Sequence, residues 1–289
     1  MRKLVLLSLL CLLALPVLSL ANDLAHYSGP TNPGWVAGGA VAANVKAIDT
    51  FQGVKAMFNS IEDFGDGDEE GDGSPLAKWL IEHTNNGQQD VIITDSGTCP
   101  SAMFAFPNKD PDGSNIENFI EAGNVHINVA DWIYYMSYEG GIRCDENGAD
   151  GAANVFDIKG LSFGSRSGNI KPNANGKKYI PSMKAFKSDR PWHTEQFKGS
   201  DWDLVLFGED GDDADPAVAI AKKAGKDGNG MIAAMWQAAK PKWPDKPDIR
   251  GIGVGEFMVN WLQENGTFNV DAKHKMTTTW SRVKSANIN

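Results

Sequence analysis

The apolar positions of this chain fall into two kinds of run. Short blocks dense in Val and Ile, VIIT at 91–94 and VHINV at 125–129, are apolar at nearly every step, as strands covered on both faces are. Elsewhere apolar residues return every third or fourth position. Val45, Ile48, Phe51, Val54, Phe58 and Ile61 do so, which predicts an amphipathic helix over 41–61. Between the two dense blocks, 114–122 has helical character and stops at Gly123. A strand, a helix and a strand in that order predict two parallel strands joined by a right-handed crossover. In such sheets ligands sit beyond the carboxyl ends of the strands. Those ends carry Asp95, Ser96, Gly97, Thr98 and Cys99 after the first block, and Asp131, Trp132 and Tyr134 after the second.

The rest of the chain extends the pattern. A short first strand is expected over 24–28, followed by a turn-rich loop, GPTNPG. An acidic, glycine-rich loop spans 63–73. Ser74 then caps a helix that opens on Pro75 and runs to about His83. A short helix is expected over 152–158, a surface excursion over 160–178, a short helix or turn over 181–187, and a strand over 202–207. Runs 218–222 and 231–236 flank a turn holding Gly225, Gly228 and Gly230, the mark of a β-hairpin. A final helix covers 249–263. The predicted fold is α/β: a doubly wound, mostly parallel sheet with helices on both faces and a late hairpin, spanning 22–265. Residues 266–289 read as a polar, loosely attached tail.

The first residues add a compartment. Arg2 and Lys3 precede an apolar run from Leu4 to Leu20, and Ser19-Leu20-Ala21 sets small residues around a cleavage site. A secretory signal peptide over 1–21 is expected, with the mature chain starting at Asn22 and the protein secreted or periplasmic. No other run reaches the roughly 20 apolar residues of a spanning helix, so no membrane span is expected after cleavage. The formal net charge of −10, without a basic patch, argues against nucleic acid and anionic lipid as partners. Cys99 and Cys144 remain once Cys11 leaves with the signal peptide. An even pair in an oxidising compartment predicts a disulfide, with a catalytic thiol as the sharper alternative.

Three segments, FIEAGNVHINVADW, SDRPWHTEQF and DPAVAIAKKAGKDGNGMIAAMWQA, occur in an order that resembles class I glutamine-amidotransferase-like domains, nearest their ThuA-like (trehalose-utilisation-like) branch. Secreted bacterial proteins with similar DPDGS, DRPWH and hairpin segments look closer still. The resemblance implies a flavodoxin-like sheet. It aligns Glu195 with the family's acidic position and Gln237 with the polar residue after the second hairpin strand. True amidotransferases carry a nucleophilic Cys at a tight strand-to-helix turn. Here the corresponding turn reads Ala130-Asp131-Trp132, so glutamine hydrolysis by that route is not expected.

The candidate chemistry follows from residue types. Asp131 at a strand end suits a sugar hydroxyl, a proton or a metal, or it caps its own turn. Trp132, Tyr134 and Tyr135 suit a stacking platform for a sugar ring, or they pack the core. His193 and Glu195 would join Asp131 in an acid–base group only if all three converge; Ser96 and Gln237 complete the expected ligand surface. His126, inside an apolar strand, reads as a satisfied core histidine. Asn108, Asp110 and Asp112 alternate like the first half of a calcium loop, but Phe119 stands where the bidentate Glu belongs. No cofactor is expected beyond weakly held calcium. Three readings follow: a secreted protein that binds a small polar ligand, a carbohydrate above all; a ThuA-like enzyme acting on a sugar or related metabolite; or a calcium-binding structural protein of the envelope.

Intact-mass analysis of the exported protein should give a first residue at or near Asn22. A start at Met1 in that fraction would contradict the signal-peptide reading.

Overall fold

The structure, a computed structural model, describes residues 22–29, 32, 35–36, 39–65, 71–106, 112–139, 142–144, 147–164, 166–223, 229–239 and 250–268. In chain order its elements are β1 (Asn22–Tyr27), α1 (Ala40–Thr50), β2 (Phe58–Asp63), α2 (Pro75–His83), β3 (Val91–Thr94), α3 (Asn115–Glu121), β4 (Val125–Val129), β5 (Ser137–Glu139), β6 (Ile142–Cys144), α4 (Gly148–Val155), β7 (Gly168–Pro172) and α5 (Ala174–Tyr179). There follow β8 (Phe186–Ser188), β9 (Trp192–His193), β10 (Trp202–Leu206), β11 (Gly208–Asp210), β12 (Asp213–Ala214), β13 (Ala217–Ala221), β14 (Met231–Met235) and α6 (Arg250–Phe257), which continues through a π-turn into α7 (Gln263–Asn265).

Seven strands make the main sheet, in the order β2-β1-β3-β4-β14-β13-β10. The first five in that order are parallel, and β13 runs antiparallel to both of its neighbours. The two dense apolar blocks lie side by side, Val91 opposite Val125 and Thr94 opposite Asn128. The late hairpin forms as expected, Ala217 opposite Ala234. Side chains alternate between two cores because a strand's residues point alternately up and down. Leu24, Ile93, Ile127 and Ala233 enter a cluster with Val45 and Ile48 of α1 and Val254 and Phe257 of α6. Ala25, Ile92, Ile232 and Ala234 enter the other, with Leu80 of α2, Phe119 of α3 and Val155 of α4. Helices therefore cover both faces. Ser74 accepts from Ala77 N at 3.1 Å to start α2, and Ser114 and Glu117 form a reciprocal capping box at α3.

Three expectations are corrected. The helix expected over 41–61 ends at Thr50, and Phe58 and Ile61 lie on β2. Gly53 breaks it, with φ 106° and so little room that a Cβ there would fall 3.2 Å from Val259; helical spacing continues across that break by coincidence. The excursion expected over 160–178 instead holds β7 and α5 and joins a second, five-stranded antiparallel sheet, β8-β7-β11-β12-β9. The tail is docked at its start: Phe268 is buried edge-on against Phe58, ring centroids 5.8 Å apart, while 269–289 lie outside the described residues. The signal peptide expected over 1–21 lies outside them too. Among the described residues no helix is long and apolar enough to cross a membrane.

One side chain ties four segments at the amino edge of the sheet. Gln89 Nε2 donates to Gly123 O and Asn229 O, each at 2.8 Å, and Gln89 Oε1 accepts from Thr267 N at 2.8 Å. Its backbone carbonyl accepts from Asn22 Nδ2 at 2.6 Å.

On the opposite side of the sheet from α2, α6 crosses α1 so closely that a Cβ on Gly251 would fall 2.5 Å from Asn44 O. Gly251→Ala should therefore cost about 1–3 kcal/mol through backbone displacement, read as a lower urea midpoint with an unchanged slope. An unaltered midpoint would contradict the close crossing.

Candidate functional site

β1, β3, β4 and β14 end at one edge, and the backbone there is strained. Ala130 has φ 83°, and Asp131 N donates to Val129 O at 3.2 Å across it, a γ-turn of the rare, strained hand. Ala130 N donates to Met235 O at 3.0 Å, which pins the turn to β14. Trp236 (φ 53°) and Tyr134 (φ 59°) are left-handed as well. Such residues cost on the order of 1–3 kcal/mol each and persist only where the surroundings over-determine them. Gly97 (φ 75°) completes the contact: a Cβ there would fall 2.4 Å from Asp131 N. The apex of the turn therefore presents a methyl group, that of Ala130, with no nucleophile.

Beneath the turn runs a saturated hydrogen-bond chain. Thr94 Oγ1 donates to Asn128 Oδ1 (2.8 Å), and Asn128 Nδ2 donates to Asp131 O (2.7 Å). Because the Thr94 hydroxyl is committed, the 3.0 Å contact to His126 Nε2 assigns that nitrogen the proton. His126 Nδ1 then accepts from Tyr134 Oη at 2.6 Å. Burial pushes His126 down to about 3, so the ring is neutral. Tyr134 is fully buried and belongs to this support, which removes it from the expected stacking platform. Ser96 is likewise buried, its hydroxyl 2.9 Å from that of Thr98.

Asp131 caps its own turn, Oδ1 accepting from Trp132 N at 2.7 Å, while Oδ2 accepts from Asn32 Nδ2 at 3.1 Å. Trp132 is half-buried and stacks on Tyr135, centroids 4.3 Å apart. The Arg190 guanidinium lies 5.3 Å from the Trp132 ring and 5.1 Å from that of Trp35. Arg190 N donates to Gln237 O at 3.2 Å, so Arg190 bridges the Trp132 ring and the chain at Gln237, while the Asp131 and Gln237 side chains are buried.

His193 and Glu195 belong to a neighbouring group instead. Glu195 takes a two-pronged bond from Arg166, at 2.9 and 3.1 Å, which holds its carboxyl below the usual range. Arg166 Nε also bonds Asp213, across the β9–β12 pair from His193. His193 is buried edge-on against Phe163, and burial followed by the Arg166 charge lowers its pKa. The segment Phe163–Gly164 separates the groups: Phe163 packs on His193, and Gly164 fits against the Trp132 ring. The acid–base group expected from Asp131, His193 and Glu195 thus resolves into a turn cap and a salt-bridged sheet edge.

Two other carboxyl groups lie at this edge, Asp95, legible in the sequence at the end of its strand, and Asp215, which was not. Asp215 is fully buried; its Oδ2 accepts from Ser188 Oγ and from Gln237 N, both at 2.7 Å, and Oδ1 has no partner. Burial pushes its pKa up to about 7 against those bonds. It lay hidden in the acidic run 209–215, which reads as solvated loop. Asp95 Oδ2 lies 2.9 Å from His26 Nδ1, and Asp49 Oδ1 lies 3.2 Å from His26 Nε2. Burial would lower His26, but Asp95 and Asp49 together raise it to about 10. Asp49 opens onto a hollow of about 370 Å³ that Ser28, Lys46 and Asp63 also line.

Buried polar atoms are nearly always bonded. At this edge five are not: the donors Trp132 Nε1, Arg190 Nε and Gln237 Nε2, and the acceptors Asp95 Oδ1 and Asp215 Oδ1. Among the described residues no group of three or more His, Cys, Asp or Glu is placed to hold a metal ion. Of the expected calcium half-loop, Asn108 and Asp110 lie outside the described residues, and Asp112 is exposed. The structure does not support the expected disulfide. Cys99 is buried with its sulfur 3.8 Å from Pro100 O, although its backbone bonds Met136 O beside Ser137, the register partner of Cys144. The side chain of Cys144 lies outside the described residues.

No protein-family model matches the sequence, and no curated protein matches it.

The His26 charge has a consequence for stability. Its folded pKa is raised from 6.5 to about 10, so its contribution is complete below pH 6.5 and is lost as pH climbs through 10. Urea midpoints should fall between pH 7 and 10 in the wild type and should flatten over that range in His26→Gln. Parallel curves for the two proteins would refute the buried imidazolium.

Proposed function

We propose that this protein is exported and binds a small, hydroxyl-rich ligand, a carbohydrate, at the carboxyl edge of its parallel sheet. The observation that carries the reading is the Trp132 ring at this edge with the Arg190 guanidinium 5.3 Å from it, and with Trp132 Nε1, Arg190 Nε and Gln237 Nε2 as buried donors that lack a partner. Three such donors suit the oxygens of sugar hydroxyls, and an indole face covers the apolar side of a sugar ring. The Arg190 guanidinium, flanked by Trp35 and Trp132, adds a charge-assisted donor for a hydroxyl or carboxylate. Strain concentrated at Ala130 and Trp236 fits a surface held in shape before its ligand arrives.

The same reading takes the domain as flavodoxin-like and as a distant relative of the ThuA-like branch. The order β2-β1-β3-β4-β14 corresponds to the 2-1-3-4-5 order of that fold, whose ligands lie where strand order reverses, between β1 and β3. The late hairpin agrees with the segment order that suggested the family. A second reading, an enzyme acting on a sugar, is favoured by Asp215, whose buried carboxyl has one anchored oxygen, one unpartnered oxygen and a pKa near neutrality, as a general acid or base needs.

Calorimetry against a panel of mono- and disaccharides tests both readings. Trp132→Ala should weaken the best ligand by about 1–3 kcal/mol, and Gln237→Ala should weaken it too. Asp215→Asn should leave binding near wild type but abolish any conversion of the sugar seen by chromatography. Absence of binding across the panel at millimolar sugar would overturn the carbohydrate assignment.

A further inference from the structure

The amino edge of the sheet carries a separate hollow. Its volume is about 530 Å³, within the range of small-molecule sites. It lies where the last turn of α3 and the end of α4 meet the start of β10 and the end of β13. Ile120, Val155, Phe156 and Trp202 give it apolar walls. Trp202 Nε1 donates to Phe156 O at 2.7 Å, which fixes the indole as a wall and uses its donor. Glu117, Glu121 and Asp157 supply the charge. The single lysine of the lining, Lys223, is already paired with Asp201 at 2.8 Å.

Glu117 is the side chain that points to a ligand. It is 6% exposed, yet it lines the hollow. Both bonds its carboxylate accepts, from Ser114 N at 2.9 Å and Ser114 Oγ at 2.5 Å, go to Oε2. Among the described residues none donates to Oε1, and the side chain lines the hollow. We propose that this hollow is a binding site for a small organic ammonium ion with an apolar body. The ammonium would meet Glu117 Oε1 and the carboxylates of Glu121 and Asp157, and the apolar body would lie against Phe156 and Trp202, where ring faces also attract a cation.

The alternatives fit less well. The carboxylates are not grouped to ligate a metal ion. A neutral sugar would find three acceptors crowded together and would leave their mutual repulsion in place. That repulsion is real: burial raises Glu117 to about 7, with Asp157 and Asp112 adding to the shift, and Glu121 and Asp157 are raised by burial and by neighbouring carboxylates. A bound cation relieves all three. The groups facing Glu117 are Glu121 on its own helix, Asp112 before it, Asp157 after α4, the Asp201–Lys223 pair across the hollow, and buried Tyr134, which the Glu117 charge helps to keep protonated. This site is independent of the one proposed at the carboxyl edge.

The test is calorimetry of the full chain with 2-phenylethylammonium, using neutral 2-phenylethanol as the control. The ammonium should bind about tenfold more tightly at pH 8 than at pH 6, the ratio of ionised Glu117 for a pKa near 7. Glu117→Gln keeps the capping box, since Gln serves at that position; it should remove the pH dependence and weaken binding at pH 8 at least about tenfold. Should that variant fold poorly by circular dichroism, exposed Asp157→Asn provides the same test with a smaller loss. Millimolar calcium should not compete. Equal affinity for the alcohol, wild-type affinity in a folded Glu117→Gln or in Asp157→Asn, or displacement by calcium would each overturn the assignment.

Discussion

Covering both faces of the central strands constrains everything else in this molecule. Once α1 and α6 bury one face and α2, α3 and α4 the other, a polar side chain on β1, β3, β4 or β14 has no route to water except along the strand. Chemistry is pushed to the strand ends, where loops rather than strands decide the geometry. The left-handed residues Ala130, Tyr134 and Trp236 collect at the carboxyl ends for the same reason: chains leaving a fully covered sheet must turn within one or two residues.

The two histidines on central strands illustrate how the interior handles charge. His126 and His26 are both fully buried. His126 meets only neutral groups, Thr94 and Tyr134, and is discharged. His26 meets Asp95 and Asp49 and is held charged. The same residue type, at the same depth, takes opposite states because desolvation acts on both and opposing charge acts on only one. His126 is therefore framework, whereas the His26 group is an electrostatic junction between the core and the surface hollow beside Asp49.

Legibility in the sequence tracked how local the determinants were. The Val- and Ile-dense blocks, the Ser74 cap and the glycine-bearing hairpin turn are decided within a few residues, and strands and helices followed from them. Phe58 and Ile61 were misread because their spacing suits a helix, and only the reversal at Gly53 against Val259 shows otherwise. The second sheet is built from strands of two to five residues in polar sequence, with pairings such as Asp213–His193 that no local pattern marks. At the candidate site the positions of Asp131, Trp132 and Gln237 just past strand ends were legible because strand ends are predictable. Arg190 and Asp215 were missed because their importance comes from partners far along the chain, and the Arg166 clamp on Glu195 was missed for the same reason.

The clasp at Gln89 has a further consequence. Asn22 and Thr267, at the two ends of the described fold, are held by one residue, Asn22 by the Gln89 backbone carbonyl and Thr267 by the Gln89 side chain, and so meet at a shared corner of the sheet's amino edge. A load applied through both ends would concentrate on that corner and spare the helices and the opposite edge. Immobilised at Asn22 or Thr267, the molecule would turn the opposite edge, with Trp132 and Arg190, outward, so the orientation of that edge is built into the position of the corner.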